Sequence, residues 1–244
     1  MTKLWLWIGF IGLSVGSIIF GLKAVAMRGK EGIEFPLQTF FITFWAAAMY
    51  LTMILGDTIL IDFNGQREIF VGRYVDWLVT TPLLLLELGV VAGLRSQVIL
   101  TAVGIDLLMI LTGIVAAIQG APNNYIYYII GTGFFLVILG LLFTEFSNSA
   151  RRRNDKINKL FQTLRNVLIL LWICYPIVTI IGPEGFRLID IGIETALYTV
   201  LDLFAKVGFG LIIISASNET LAEASRNNPI LEKVHGYIGS GTKR

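Results

Sequence analysis

The stretch "RYVDWLVTTPLLLLEL" reads as apolar, yet it carries Arg73, Asp76, Thr80 and Glu87. Arg73 and Asp76 are three residues apart, and Thr80 is four beyond Asp76. At 3.6 residues per turn these three share one face of a helix. Glu87 is eleven beyond Asp76, about three turns and ~16 Å along the axis. The face reads Arg, Asp, Thr, Glu in line. A charged side chain at the centre of a bilayer costs at least ~2.5–3.5 kcal/mol on insertion scales, so such a row must be compensated or used. Scattered charges neutralised by local partners is the plain alternative, and four polar groups in one line weaken it.

A second stretch, "ETALYTVLDLFAKVGFG", places Asp202 and Lys206 four apart on one face. Both fall near the middle of an apolar run, where a lysine cannot readily snorkel to water. Such a lysine must be paired, neutral or covalently modified. A structural Lys–Asp pair and a Schiff base with a carbonyl compound are both open on chemistry alone. The spacing does suggest that Asp76 and Asp202 converge on Lys206. A third stretch, "RNVLILLWICYPIVTIIG", carries Trp172, Tyr175 and Pro176. For this segment alone ordinary aromatic packing is the preferred reading. Together with Trp77 and Met109 the aromatics could line a flat apolar slot suited to a rigid conjugated ligand.

The elements that must position these groups follow from composition. Of 244 residues 55% are hydrophobic and 15% charged, against about 25% charged in a soluble domain. This is the balance of an integral membrane protein. The net charge of +2, with no basic patch interleaved with aromatics, argues against nucleic acid as a partner. The single cysteine, Cys174, excludes an intramolecular disulfide, and the single histidine, His235, lies in a polar tail, which leaves no basis for a His/Cys metal site.

A helix needs about 20 apolar residues to span a bilayer. Seven segments qualify: Leu4–Met27, Phe35–Gly56, Ile69–Val91, Val98–Ile118, Tyr125–Phe146, Leu164–Ile181 and Ile189–Ala216. The expected fold is an all-α, seven-helix transmembrane bundle over residues 1–216, followed by a polar tail over 217–244. The first segment is too long for the apolar region of a signal peptide and lacks a small-residue cleavage site before Arg28, so it counts as the first helix. Basic residues orient the bundle. Lys23, Arg28, Lys30, Arg95, Arg151, Arg152, Arg153, Lys156, Lys159, Arg226, Lys233, Lys243 and Arg244 fall on one side, against Lys3, Arg67 and Arg187 on the other. The N-terminus is expected outside and the C-terminus in the cytoplasm.

At these residues the chain resembles the microbial rhodopsins, and closely resembles their bacteriorhodopsin branch. "RYVDWLVTTPLLLLEL", "GIDLLMILTG", "LRNVLILLWICYP" and "LDLFAKVGFG" match that family's third, fourth, sixth and seventh helix motifs, and the resemblance covers all seven helices. It implies all-trans retinal bound to Lys206 as a protonated Schiff base. Asp76 would be counterion and primary proton acceptor, and Asp202 the second counterion. Arg73, Glu184 and Glu194 would hold the extracellular proton-exit region. Glu87 falls at the cytoplasmic donor position, with glutamate there as in proteorhodopsins, xanthorhodopsin relatives and some cyanobacterial rhodopsins. The chromophore pocket would include Tyr74, Trp77, Thr81, Leu84, Met109, Trp172, Tyr175 and Pro176, with Asp106 nearby. Membrane lipids, protons and a homo-oligomer, preferably a trimer, are the implied partners.

Departures from the pattern are informative. Thr179 and Tyr128 stand where bacteriorhodopsin has pocket tryptophans. Bulky Tyr128 argues against the glycine-lined opening of a carotenoid antenna. No membrane histidine is present to pair with the counterion as in proteorhodopsins. The function this implies is light-driven outward proton transport, not conventional enzyme catalysis. In that scheme Arg73 and a protonated Lys206 offset Asp76 and Asp202. Glu87, lacking a basic partner, rests neutral, since burial favours the neutral acid. A sensory photoreceptor of the same fold is the alternative. A donor carboxylate at Glu87 speaks against it, and Asp76 speaks against a chloride pump. A sodium pump would show Asn and Gln in place of Asp76 and Glu87. A retinal-free receptor would leave Lys206 unmodified.

Overall fold

A computed structural model of the protein describes residues 1–61, 67–119 and 122–226. Seven helices among them are long and apolar enough to cross a membrane: α1 Thr2–Ala26, α2 Glu34–Leu55, α3 Val71–Ala92, α4 Ser96–Gln119, α5 Asn124–Ala150, α6 Asp155–Ile181 and α7 Ile191–Ser215. Between α2 and α3 lie two short antiparallel strands, β1 Ile59–Ile61 and β2 Glu68–Phe70, with Ile59 opposite Phe70. A short helix, α8 Asn218–Arg226, follows α7.

The seven expected spans are therefore all helices, but three boundaries move for identifiable reasons. Helix α6 starts at Asp155, nine residues before the expected Leu164, because the Asn154 side chain caps it by accepting the Ile157 amide at 2.9 Å. That first part is helical without being apolar enough to count as bilayer. Ile69 and Phe70, expected at the start of the third helix, belong instead to β2. The polar tail begins with α8, whose Leu221 and Ala224 are fully buried. The rest of the expected tail, residues 227–244 with His235, lies outside the described residues.

Helix α1 packs on α2 and α7, and α3 packs on α2, α4 and α6. Close approach at α1 depends on glycine. A methyl group on Gly9 would fall 2.2 Å from the Tyr50 ring, and one on Gly16 would fall 2.8 Å from Val207. Small residues at helix contacts are how bundles pack in lipid, where no hydrophobic force drives one helix against another. The outward surface is apolar, with Ile18, Leu22, Phe41, Leu136 and Phe143 exposed. The charged groups point inward: Arg73, Asp76, Glu87, Asp106, Asp202 and Lys206 are each at most 4% exposed. Two segments, Leu142–Phe146 in α5 and Leu203–Gly208 in α7, form wide i→i+5 turns, a local widening often found at functional sites. The second contains Lys206.

Candidate functional site

Lys206 Nζ donates to Asp76 Oδ2 at 2.7 Å and to Asp202 Oδ1 at 2.5 Å. Helices α3 and α7 thus bring together the three groups whose spacing pointed at one another. Asp202 is heavily supplied with donors. Its Oδ1 also accepts the Tyr175 hydroxyl at 2.9 Å and the Trp77 indole at 3.4 Å, and its Oδ2 accepts the Tyr50 hydroxyl at 2.8 Å. Asp76 differs: its Oδ1 is buried without a hydrogen-bond partner among the described residues. Thr80 donates to the Asp76 main-chain carbonyl at 2.9 Å. Asp202 thus accepts from four protein donors, and Asp76 Oδ2 accepts from Lys206.

Arg73 does not join this cluster by direct contact. Its Nη1 lies 3.2 Å from Glu194 Oε2, its Nη2 donates to Thr195 Oγ1 at 3.5 Å, and its guanidinium lies 4.3 Å from the Tyr198 ring centre. Of the two cations expected to offset Asp76 and Asp202, the Lys206 ammonium touches both carboxylates, while Arg73 acts on them only across space. Arg73, Glu184 and Glu194 lie within electrostatic reach of one another at this end of the bundle, with different direct partners. Glu194, in the first turn of α7, is 3% exposed and holds Arg73. Glu184, in the loop after α6, accepts the Tyr74 hydroxyl at 2.5 Å. Asp190 caps α7 by accepting the Gly192 and Ile193 amides at 2.7 and 2.9 Å, which fixes the turn that carries Glu194.

Toward the other end of α3, Glu87 is fully buried. Its Oε1 accepts the Thr39 hydroxyl at 3.0 Å, and its Oε2 has no hydrogen-bond partner among the described residues. It does not snorkel, and no basic side chain among the described residues pairs with it.

A cavity beside Lys206 is lined by Tyr74, Trp77, Thr81, Leu84, Met109, Trp172, Tyr175 and Pro176, the pocket side chains read from the sequence. Asp106 is the exception. It stands behind Thr81, whose hydroxyl donates to its Oδ2 at 2.7 Å. The Trp77 and Tyr175 rings meet edge to face, with centres 5.2 Å apart. The two departures also face the cavity. Tyr128 donates to the Pro176 carbonyl at 2.7 Å, and Thr179 shares a 2.6 Å hydrogen bond with the Tyr198 hydroxyl. About 1140 Å³ of space unfilled by protein atoms, part of it open to the surroundings, lies within these walls. A mostly apolar, aromatic slot with an amine at its wall and two carboxylates at that amine fits a long conjugated aldehyde such as retinal.

Tyr50, Thr39, Thr195 and Tyr198 are site residues that the sequence reading missed. A signal was available on α2: Thr39, Thr43 and Tyr50 recur at four and eleven residues, the spacing already noted from Asp76 to Thr80 and Glu87. All three are buried.

The fold and the lysine–carboxylate cluster define a seven-helix membrane protein with a chromophore-type pocket, and comparison with known proteins gives the family. The chain belongs to the bacteriorhodopsin-like proteins, whose family pattern matches residues 1–220. It is 42% identical over 218 residues to a bacteriorhodopsin of Haloterrigena sp. (strain arg-4), covering 88% of this chain and 87% of that one. To the bacteriorhodopsin of Halobacterium salinarum it is 37% identical over 229 residues, covering 93% and 87%. Among solved structures, cyanorhodopsin from the cyanobacterium Calothrix sp. NIES-2098 is 61% identical with a TM-score of 0.91, over 93% of this chain and 99% of that one. The thermophilic rhodopsin of Rubrobacter xylanophilus is 39% identical with a TM-score of 0.87, over 92% and 99%. The protein is a microbial rhodopsin, a multi-pass membrane protein, and membership implies a retinal chromophore.

Proposed function

We propose that the protein is a light-driven outward proton pump, with all-trans retinal attached to Lys206 and the N-terminal end of the bundle outside the cell. Bound there, retinal supplies light absorption and an isomerisation that changes which side of the membrane the Lys206 nitrogen faces. The remaining work falls to the protein's own side chains. Asp76 Oδ2, 2.7 Å from Nζ, takes the proton from that nitrogen. Asp202, held by three further donors, stays in place as the fixed negative partner. Arg73 and Glu194 receive the charge change at the outer end, and Glu87 returns a proton to the nitrogen from the inner half.

The observation that carries this reading is the order of groups along α3. Asp76 stands at the nitrogen, Arg73 one turn toward the N-terminal end, and buried Glu87 about three turns the other way. Acids on opposite sides of a switching nitrogen give transport a direction. Orientation rests on the basic residues gathered at the connections α1–α2, α3–α4 and α5–α6. A trimeric homo-oligomer belongs to the same proposal by family likeness. Illuminated cells expressing the protein with added retinal should acidify their medium, and a protonophore should abolish the change. Absence of any light-induced pH change in pigmented cells would favour the sensory alternative.

A further inference from the structure

A second cavity lies between α5 and α6, away from Lys206. Its walls are Ser147, Arg151, Asn158, Phe161, Gln162 and Arg165. No carboxylate lines it, and neither guanidinium has an acidic partner among the described residues. Arg165 is nonetheless held in place. Its Nη1 donates to Ser147 Oγ at 2.5 Å, and its Nε and Nη2 donate to Asn166 Oδ1 at 3.1 and 2.8 Å. Its guanidinium lies 5.4 Å from the Phe143 ring centre and 5.7 Å from that of Phe161. Ser147 is buried, and its hydroxyl reaches back to the Leu142 carbonyl at 2.6 Å across the wide turn of α5. A positioned guanidinium with neutral partners keeps both its charge and part of its donor fork available.

The location narrows what would use them. Phe143, under the Arg165 guanidinium, is 55% exposed on the bundle surface, and Leu170, five residues along α6, is 68% exposed. The cavity therefore opens where the lipid-facing surface begins, within ~7.5 Å of helix axis. Basic pockets between transmembrane helices on the cytoplasmic side bind phosphate-bearing head groups, and the orientation proposed above, on which this inference rests, puts the α5–α6 connection there. We infer that the Arg151–Arg165 cavity is a binding site for a phosphate ester group, supplied by the head group of an anionic phospholipid. The two guanidiniums take the phosphate oxygens, Gln162 and Asn158 offer amide donors, and Phe143 lies against the start of the acyl chains.

The test uses the full-length protein purified in detergent, stripped of lipid and then incubated with equimolar phosphatidylglycerol and phosphatidylcholine. Native mass spectrometry counts retained phosphatidylglycerol against phosphatidylcholine for the parent, for Arg151→Gln, and for Arg151→Gln with Arg165→Gln. Phosphatidylglycerol retention should fall about fivefold for one arginine and roughly 25-fold for both, with phosphatidylcholine unaffected. A parallel arm measures thermal protection of the lipid-free protein by inorganic phosphate against chloride at equal ionic strength. Loss of lipid retention in the variants supports the lipid head group. Unchanged lipid retention with lost phosphate protection supports the same site with free phosphate as its source. Variants that match the parent in both arms overturn the site. Arg151 is exposed at the rim, so Arg151→Gln reads the site even if the double variant does not fold.

Discussion

Arg73 Nη1 stands 3.2 Å from Glu194 Oε2, with both side chains almost wholly buried. The direct ionic contact of the α3 guanidinium is this carboxylate, on another helix. Removing one partner of a buried ion pair costs about 3–5 kcal/mol, because the other charge is left uncompensated. Glu194→Gln should lower the thermal unfolding temperature and, in the proposed pump, delay the appearance of the proton outside without stopping transport. A pH-indicator dye in the bulk phase times the release. Unchanged timing in both Glu194→Gln and Glu184→Gln would remove this end of the bundle from the release step.

Lys206 is the proposed point of attachment, and its replacement is the plainest test. Lys206→Ala keeps the cavity walls but removes the amine. The variant should give no visible absorption band when reconstituted with all-trans retinal. A normal band would place the attachment elsewhere.

Asp76 and Asp202 flank the same nitrogen but differ in surroundings, and so their substitution should differ in effect. Asp76→Asn removes a negative charge 2.7 Å from Nζ. It should move the absorption maximum to the red and abolish outward transport. An unshifted spectrum with normal pumping would exclude Asp76 as acceptor.

Tyr50 tests the support around Asp202. Its hydroxyl is one of four donors to that carboxylate, the others being Lys206, Tyr175 and Trp77. A hydrogen bond to a charged group contributes about 1.5–3 kcal/mol. Tyr50→Phe should lower stability by that amount, seen as bleaching of the visible band at a lower temperature. Bleaching at the parent's temperature would show the hydroxyl to be dispensable.

The Asp202–Lys206 and Arg73–Asp76–Thr80–Glu87 relationships were legible in the sequence because a charge inside an apolar run is rare and helical spacing is regular. Tyr50 and Thr39 were less visible. In a bundle surrounded by lipid both the inner and the outer faces are apolar, so hydrophobic periodicity does not separate them, and an uncharged tyrosine or threonine carries little signal. Strand β2 was absorbed into the third span because Ile69 and Phe70 are as apolar as the helix they precede. The direction taken by Arg73 was not legible at all: its long side chain reaches either way along α3, and the choice was made by Glu194, Thr195 and Tyr198 on another helix.

Glu87 is what separates a pump from a sensor in the proposed reading. Its carboxyl is fully buried, with Thr39 Oγ1 at 3.0 Å and one oxygen without a partner among the described residues. A donor holds its proton at rest, so Glu87→Gln preserves shape and the Thr39 contact while removing only the supply of protons. Return of the proton to the Lys206 nitrogen, followed by flash spectroscopy, should slow strongly and become dependent on bulk pH. Added azide, a small diffusible acid, should restore the rate. Thr39→Val separates the contact from the acid: it leaves the carboxyl in place without its hydroxyl partner and should alter the rate without making azide necessary. Recovery in Glu87→Gln that matches the parent across neutral and alkaline pH would show that Glu87 is not the donor and would favour the sensory reading.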